Sequence, residues 1–567
     1  MMKKKFRMLV SLTVSLFMLL SIALPVYAEE KTEDHVLVWN IGSEPKTWDP
    51  QLNTSGAGGH VILNLYDGLV RDTQEGIKMA SAESYAVSAN EEGVEGTVYT
   101  FKLRDGLVWS DGKPLTAKDF EYAWKRACSP EMASPYAFLV TDYIKGAEEY
   151  FSGEGKAEDV RVNALDDRTL QVELIQPTAY FLNLVSFFTY MPCREDMAST
   201  GEGWEKDPKK CVSNGAFTLE EYKTGSHILL KKNEKFWNAE NVKLPGIKGL
   251  FITDPTTSLQ GYEAGEINVT STLPGEEIPR LFAEDPNFMS EPALGTTYVQ
   301  FNMDNELVSN LNFRKALTLA IDRKMIVDQV LRDGSNPAPA YIAPTFKFST
   351  GESVRKSDEL GNMVEEFGID PNGAKIEEAK SYLEKAGYPD GKGAPKLELL
   401  YYESQNNAIV AEAIQHMWKE NLGLDVKLKA EEYAVFANTV NSGKWAMAMS
   451  GWAADYNDPM TMLSLFTANG LNDCRWRYKF YPGVPDDKTL NPENEAYDDA
   501  VSMVAKTSGE ERDEYIRKAE QILMDELVVC PIFYHSYTQV IDFGKVTGPG
   551  RTPIGQWDFQ YYELLNP

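Results

Sequence analysis

An α/β fold is predicted from three observations. Short strand-like segments alternate with short amphipathic helices along the chain, there is no internal repeat or long low-complexity tract, and residues 396–452 read strand, helix, strand, helix, strand.

The N-terminal 28 residues come first. Lys3, Lys4, Lys5 and Arg7 precede an apolar centre from Met8 to Leu24, and Val26-Tyr27-Ala28 has small-residue cleavage character. This is the pattern of a secretory signal, with cleavage expected after Ala28; a membrane anchor is the competing reading. No Cys follows that position, so a lipid-anchoring thiol is not expected there. No later segment has the run of about 18 apolar residues that a spanning helix needs.

TVYTFKL (97–103) puts Tyr99, Phe101 and Leu103 on one face of a strand, and Asp105-Gly106 then predicts a hairpin turn into Leu107-Val108-Trp109. Thr116 and Asp119 form a capping-box start to a helix, along which Phe120, Ala123, Trp124 and Ala127 recur at helical spacing and so read as core. IDPNGAKIEEA lacks the alternating acids of a calcium loop. It reads as a helix capped by Asp370 and opened by Pro371, with Ile376, Ala379, Leu383 and Ala386 packing.

KLELLYY (396–402) is a strand, residues 406–423 a helix ending at Gly423, and LDVKLKA a strand turning Leu424, Val426 and Leu428 inward. EEYAVFANTVNSG is a second helix and WAMAMSGW (445–452) a third strand. Asp455 therefore stands just past the carboxyl end of a strand, where open α/β sheets form ligand crevices. A turn-capping role within Asn457-Asp458-Pro459 is the plainer alternative.

Composition narrows the function. Removing the first 28 of 567 residues leaves 539, enough for three or four domains or subdomains, and moves the formal charge from −29 to −33. A chain this acidic is not expected to bind nucleic acid or anionic lipid non-specifically. The five cysteines are Cys128, Cys193, Cys211, Cys474 and Cys530, none in CxxC spacing. Cys193 and Cys211 bracket a polar loop that a disulfide would staple, or they are two buried thiols. Cys128, in a packed helix, reads as free. Phosphate-loop, HExxH and GxSxG motifs are absent, and the five histidines have no metal-ligand spacing. No carboxylate pair stands out for glycoside hydrolysis. No cofactor, metal or catalytic residue is expected.

Five stretches resemble one family. They are EPKTWDPQL (44–52), YTFKLRDGLVWSDGKPLTAKDFEYAWKR (99–126), residues 212–248, residues 295–327 beginning GTTYVQFNMD, and GWAADYNDPMTMLSLF (451–466). The family is that of bacterial extracellular solute-binding proteins feeding peptide and nickel ATP-binding-cassette importers, and the last stretch resembles its oligopeptide branch.

The resemblance implies a two-lobed periplasmic-binding-protein-like fold of the large, three-subdomain type, with a ligand cleft between the lobes. The first lobe would comprise 29–66, 190–294 and 536–567 with an inserted subdomain 67–189, and the second lobe 295–535. GTTYVQFN (295–302) and PIFYHSY (531–537) would be the crossings. It further implies that Asp455 holds the α-amino group of an oligopeptide while Gly451 and Trp452 line the peptide. Thr54-Ser55-Gly56 would offer main-chain hydrogen bonds from the other lobe, and Ser450, Tyr456, Asn457, Tyr136 and Tyr298 would complete the site. Strand addition of this kind takes affinity from main-chain bonds and leaves side chains free.

The chain departs from the pattern where some oligopeptide binders carry arginines, at Val440 and Met449, and where some carry a disulfide cysteine, at Ala453. Peptide length is left open by these departures. The expected partners are an oligopeptide and the permease subunits of an importer, with the protein a monomer in the periplasm or outside the cell. A dipeptide, metal chelate or oligosaccharide ligand on the same fold, a secreted hydrolase, and a surface sensor or adhesin are the other readings.

Overall fold

Two buried apolar cores organise the chain. The structure is a computed structural model describing residues 36–479 and 489–565, and the expected leader, residues 1–28, lies outside them. One core gathers side chains from Leu37 to Val269 and from Ile541 to Tyr562; the other gathers Leu294 to Tyr534. Among the described residues no helix is long and apolar enough to cross a membrane.

The first core is framed by two four-stranded sheets. One runs in the order Leu37–Asn40, Gly246–Leu250, His227–Lys232, Phe217–Lys223. The other runs Ala82–Ser88, Val98–Leu103, Thr169–Glu173, Val162–Asp166. Tyr99, Phe101 and Leu103 face inward as expected, under Phe120, Ala123, Trp124 and Ala127 of the helix Ala117–Ala127. The Asp119 carboxylate accepts from Thr116 N at 2.7 Å, completing the helix start. The hairpin into Leu107-Val108-Trp109 does not form. The strand Val98–Leu103 pairs instead with Ala82–Ser88 and Thr169–Glu173, and on the latter Val172 and Leu170 are buried opposite Tyr99 and Phe101.

The second core lies against a six-stranded mixed sheet. Its order is Asn336–Pro337, Val529–Val540, Phe288–Phe301, Met447–Ala453, Leu397–Tyr402, Val426–Glu431. The last three are parallel, joined through the helix Gln405–Leu422, which ends on Gly423 at φ 69°, and the helix Tyr433–Ser442. The helix expected at Asp370-Pro371 starts later, at Ile376. Asp370 is spent on a tight turn instead, its carboxylate accepting from Asn372 N at 2.9 Å.

The strands Phe288–Phe301 and Val529–Val540 run antiparallel from one core into the other. At their first-core end Val269 bridges Ile541; at the other end Thr296 to Phe301 pair with Trp452 to Met447. Between Pro292 and Thr296 the register is broken, three residues standing opposite His535 alone. Such a bulge bends and twists a strand locally.

All five cysteines are free and buried. The expected Cys193–Cys211 staple is therefore not formed. The polar loop between them is fastened without it. Arg194 reaches Asp111 and Asp196 at 2.6 Å, Trp204 Nε1 donates to Asp49 Oδ2 at 3.0 Å, and Trp48 Nε1 donates to the Glu205 carbonyl at 2.7 Å. Burial pushes the Cys211 thiol up to about 12 and raises that of Cys193, so neither favours thiolate.

Candidate functional site

The strand Met447–Ala453 forms the heart of the site. On one side it pairs along its whole length with the strand Phe288–Phe301, from Phe301↔Met447 to Gly295↔Ala453. On the other side pairing with Leu397–Tyr402 stops at Tyr401↔Met449. Ser450 to Ala453 therefore present one edge without a strand partner, with Gly451 and Ala453 exposed. An unpaired edge is a template for an incoming extended chain.

Asp455 follows two residues beyond that edge. It is half-buried, and the hydroxyl of Tyr136, which packs against the first core, donates to Asp455 Oδ1 at 3.4 Å. Burial pushes the Asp455 carboxyl up to about 6, with the Tyr136 hydrogen bond opposing the shift. The Tyr136 phenol is raised by burial and by the neighbouring Asp455 charge. Thr461 on the short helix Met460–Leu463 fixes the loop: its Oγ1 accepts from Trp452 Nε1 at 3.3 Å and from Asp455 N at 3.4 Å. Period-three-and-four packing of a four-residue helix leaves no sequence signal, so Thr461 was not foreseeable.

Strand alternation sorts the remaining side chains. Gly451 pairs with Thr297 on the face that His535 covers, and Thr297 Oγ1 lies 2.9 Å from His535 Nε2. Burial lowers the His535 imidazole to about 4, so it is neutral at physiological pH. Gly295 is required here, since a Cβ would stand 2.5 Å from His535 Nδ1 and 2.8 Å from the Trp452 carbonyl. Ser450 and Trp452 point to the opposite face. Ser450 Oγ accepts from Gln300 Nε2 at 3.2 Å.

Three expected ligand contacts are placed differently. Tyr298 is 1% exposed, its ring packed between Tyr341 and Phe466 and its hydroxyl accepting from Asn472 Nδ2 at 2.9 Å. Its strand turns it into the second core, one residue out of phase with Thr297. Tyr456 is 5% exposed and belongs to the first core although its loop follows a strand of the second core's sheet; it stacks on Tyr180 at 5.6 Å with the rings 3° from parallel. Ser55 is the N-cap of the helix Gly56–Leu65. Its hydroxyl accepts from Gly58 N at 3.0 Å, its amide donates to Asn53 Oδ1 at 3.1 Å, and its carbonyl accepts from Asn53 Nδ2 and Gly59 N. Its main chain is therefore occupied, whereas Thr54 and Gly56 on either side are exposed.

Asn457 ties its loop to segments of the first core. Its carbonyl accepts from Asn183 Nδ2 at 2.8 Å, and its Nδ2 donates to Asp72 Oδ1 at 3.4 Å. Close by, Arg512 pairs with Asp458 at 2.6 Å and lies over the Tyr180 ring at 5.6 Å. Asp72, Asn183 and Tyr180 carry no motif in the sequence. Among the described residues no group of three or more His, Cys, Asp or Glu side chains is positioned to hold a metal ion. The arrangement offers a carboxylate, a phenol and an open strand edge, which together can hold an extended chain by its ammonium end and main chain.

Comparison with known proteins finds relatives along most of the chain. The profile of "Bacterial extracellular solute-binding proteins, family 5 Middle" matches residues 76–473. The oligopeptide-binding protein OppA of Bacillus subtilis is 35% identical over 515 residues, covering 89% of this chain and 88% of the relative. The solved periplasmic murein tripeptide-binding protein MppA, in its unliganded open form, superposes with a TM-score of 0.76 at 28% identity, covering 94% of this chain and 98% of the other. Haemophilus influenzae OppA in complex with the peptide RPPGFSPFR superposes with a TM-score of 0.71 at 29% identity, covering 94% and 99%.

Proposed function

The chain belongs to the bacterial extracellular solute-binding proteins of family 5, and from that membership we propose that it captures oligopeptides between two lobes and delivers them to the permease of an ATP-binding-cassette importer. The observation that carries this reading is the unpaired edge of Ser450 to Ala453 beside Asp455. A peptide added to that edge exchanges main-chain hydrogen bonds with it, so affinity does not depend on side-chain identity. Asp455 then receives the peptide's ammonium group. A buried ammonium left unpaired costs several kcal/mol, which sets the register of the first residue. Thr54 and Gly56 offer further main-chain groups from the opposite lobe.

The division into lobes at 295–535 and the remainder, with an inserted subdomain 67–189, is part of the same proposal. The break in register opposite His535 supplies the bend about which the lobes close. The protein acts outside the cytoplasmic membrane, as a monomer and without catalysis.

Mass spectrometry of ligand released from the purified protein tests the reading. A ladder of short peptides with free amino ends is expected; a sugar, a chelate or N-blocked peptides only would overturn it.

A further inference from the structure

Asp455 lies in a stretch with no ladder of its own. Residues 454–459 fall between the strand Met447–Ala453 and the short helix Met460–Leu463 and belong to neither. On the side of the second core's sheet, Ala454 N donates to the Leu294 carbonyl at 2.7 Å, and Asp455 N makes the long contact with Thr461.

The firmer hold comes from the first core. Tyr456, the residue after Asp455, is buried there and stacks on the buried Tyr180. Its phenol is raised by burial and then by the neighbouring Tyr143 and Tyr180 phenols, which fits a ring enclosed among tyrosines. Asn183 Nδ2 donates to the Asn457 carbonyl at 2.8 Å, and Arg512, paired with Asp458, lies over the Tyr180 ring. Asn457 Nδ2 in turn reaches Oδ1 of Asp72 at 3.4 Å. Asp72 is a buried acid whose Oδ2 has no hydrogen-bond partner, and burial pushes its carboxyl up to about 7.

Tyr136 is fastened to the same segment of chain as Tyr456. Tyr180 leads into the short helix Phe181–Val185, and Phe187 and Phe188 follow it. The Tyr136 ring packs on Phe187 at 5.2 Å and on Phe188 at 5.7 Å. Residues 180–188 therefore hold both the phenol that meets Asp455 and the ring next to Asp455 in the chain.

Consecutive Cα atoms are only about 3.8 Å apart, so a fixed Tyr456 leaves the Asp455 backbone little freedom. A recognition group has to be held within about 0.5 Å by its supporting residues. The strand edge is secured separately, since Ser450 to Ala453 pair with Tyr298 to Gly295.

We propose that Tyr456, held on Tyr180, is a positioning residue for Asp455. Its contact with the first core aims the carboxylate, so recognition of the ligand's amino end depends on that contact. Main-chain recognition along the strand edge does not. The inference rests on the peptide-capture reading and names what assembles its amine site.

Titration calorimetry with tetra-alanine and its N-acetylated form tests it. Wild type is expected to bind the free peptide at least about thirtyfold tighter, the lower end of the cost of unpairing a buried charge. In Tyr456→Leu that ratio should fall at least about tenfold, as for loss of a charged hydrogen bond, while affinity for the acetylated peptide stays unchanged. Tyr456→Phe, which keeps the stacked ring, should retain the wild-type ratio. Asn183→Ala deletes only the bond to the Asn457 carbonyl and should lower the ratio about threefold. Thermal unfolding checks each variant, and Asn183→Ala decides alone if Tyr456→Leu does not fold. A ratio unchanged in the folded variants overturns the positioning role, as does equal weakening of both peptides. No binding by wild type, or no preference for the free amine, would overturn the reading on which the inference rests.

Discussion

The Tyr136 hydroxyl donates to Asp455 Oδ1 at 3.4 Å, joining residues 319 positions apart, one packed against the first core and the other just past a strand of the second core's sheet. The contact is long for an O–H···O bond, and Asp455 keeps further lone pairs for a stronger donor. A peptide ammonium is such a donor, and it is charged.

Asp455→Ala should weaken peptide binding by about 2–5 kcal/mol, mostly through faster dissociation, because the ammonium would be left unpaired in a poorly hydrated cleft. Acetylating the peptide's amino end should do similar damage to wild type. In the variant acetylation should cost little more, since both changes delete one pair. Calorimetry on the four combinations checks this; equal binding of free and acetylated peptide by wild type would return Asp455 to a turn-capping role.

Peptide affinity should be bell-shaped in pH. Asp455 must be ionised to hold the ammonium, and burial puts its unliganded carboxyl at about 6, so affinity falls about tenfold per pH unit below that value. The peptide amine loses its proton above about 8, which gives the alkaline limb. Replacing Asp455 by Asn should remove the acid limb, and titrations from pH 4.5 to 9 would detect it.

Asp72→Asn should stabilise the protein at pH 8 and do so less at pH 5. A carboxyl raised to about 7 on folding contributes stability when both states are protonated, below the ordinary value near 4, and that contribution is lost as pH rises through about 7. The gain at pH 8 should be about 2–4 kcal/mol. Denaturant melts at both pH values measure it, and a gain independent of pH would contradict the isolation of Asp72.

Denatured, unreduced protein should yield five titratable thiols, and native protein almost none, because all five cysteines are free and buried. A count of three with Cys193 and Cys211 fragments linked would show the staple that the structure lacks.

Peptide should compact the protein. Two cores joined by the paired strands Phe288–Phe301 and Val529–Val540 can close about the irregular stretch between Pro292 and Thr296. Small-angle scattering of verified empty protein should show the radius of gyration fall on adding peptide, and an unchanged value would count against closure.

Local chemistry was readable from residue order. The parallel strand–helix–strand run at 397–453, the helix start at Thr116–Asp119, the apolar stripe through Trp124 and the placing of Asp455 past a strand all depend on periodicity and caps within a few residues. Where tertiary packing chose between local options, sequence reading went astray. Tyr298 lies on a strand enclosed on both faces, so alternation offered no signal of which face met the cleft, and the side chain turned into the second core. Ser55 could be a ligand contact or a cap, and the neighbouring Asn53 drew its main chain into the cap. Tyr456 crosses into the first core only because Tyr180, 276 positions away, offers a ring to stack on. Asp72 meets Asn457 across 385 positions, and no local pattern encodes a carboxylate stranded without a cation. Helices, strands and their order come from short-range periodicity, but side-chain facing and charge isolation are properties of the assembled interior.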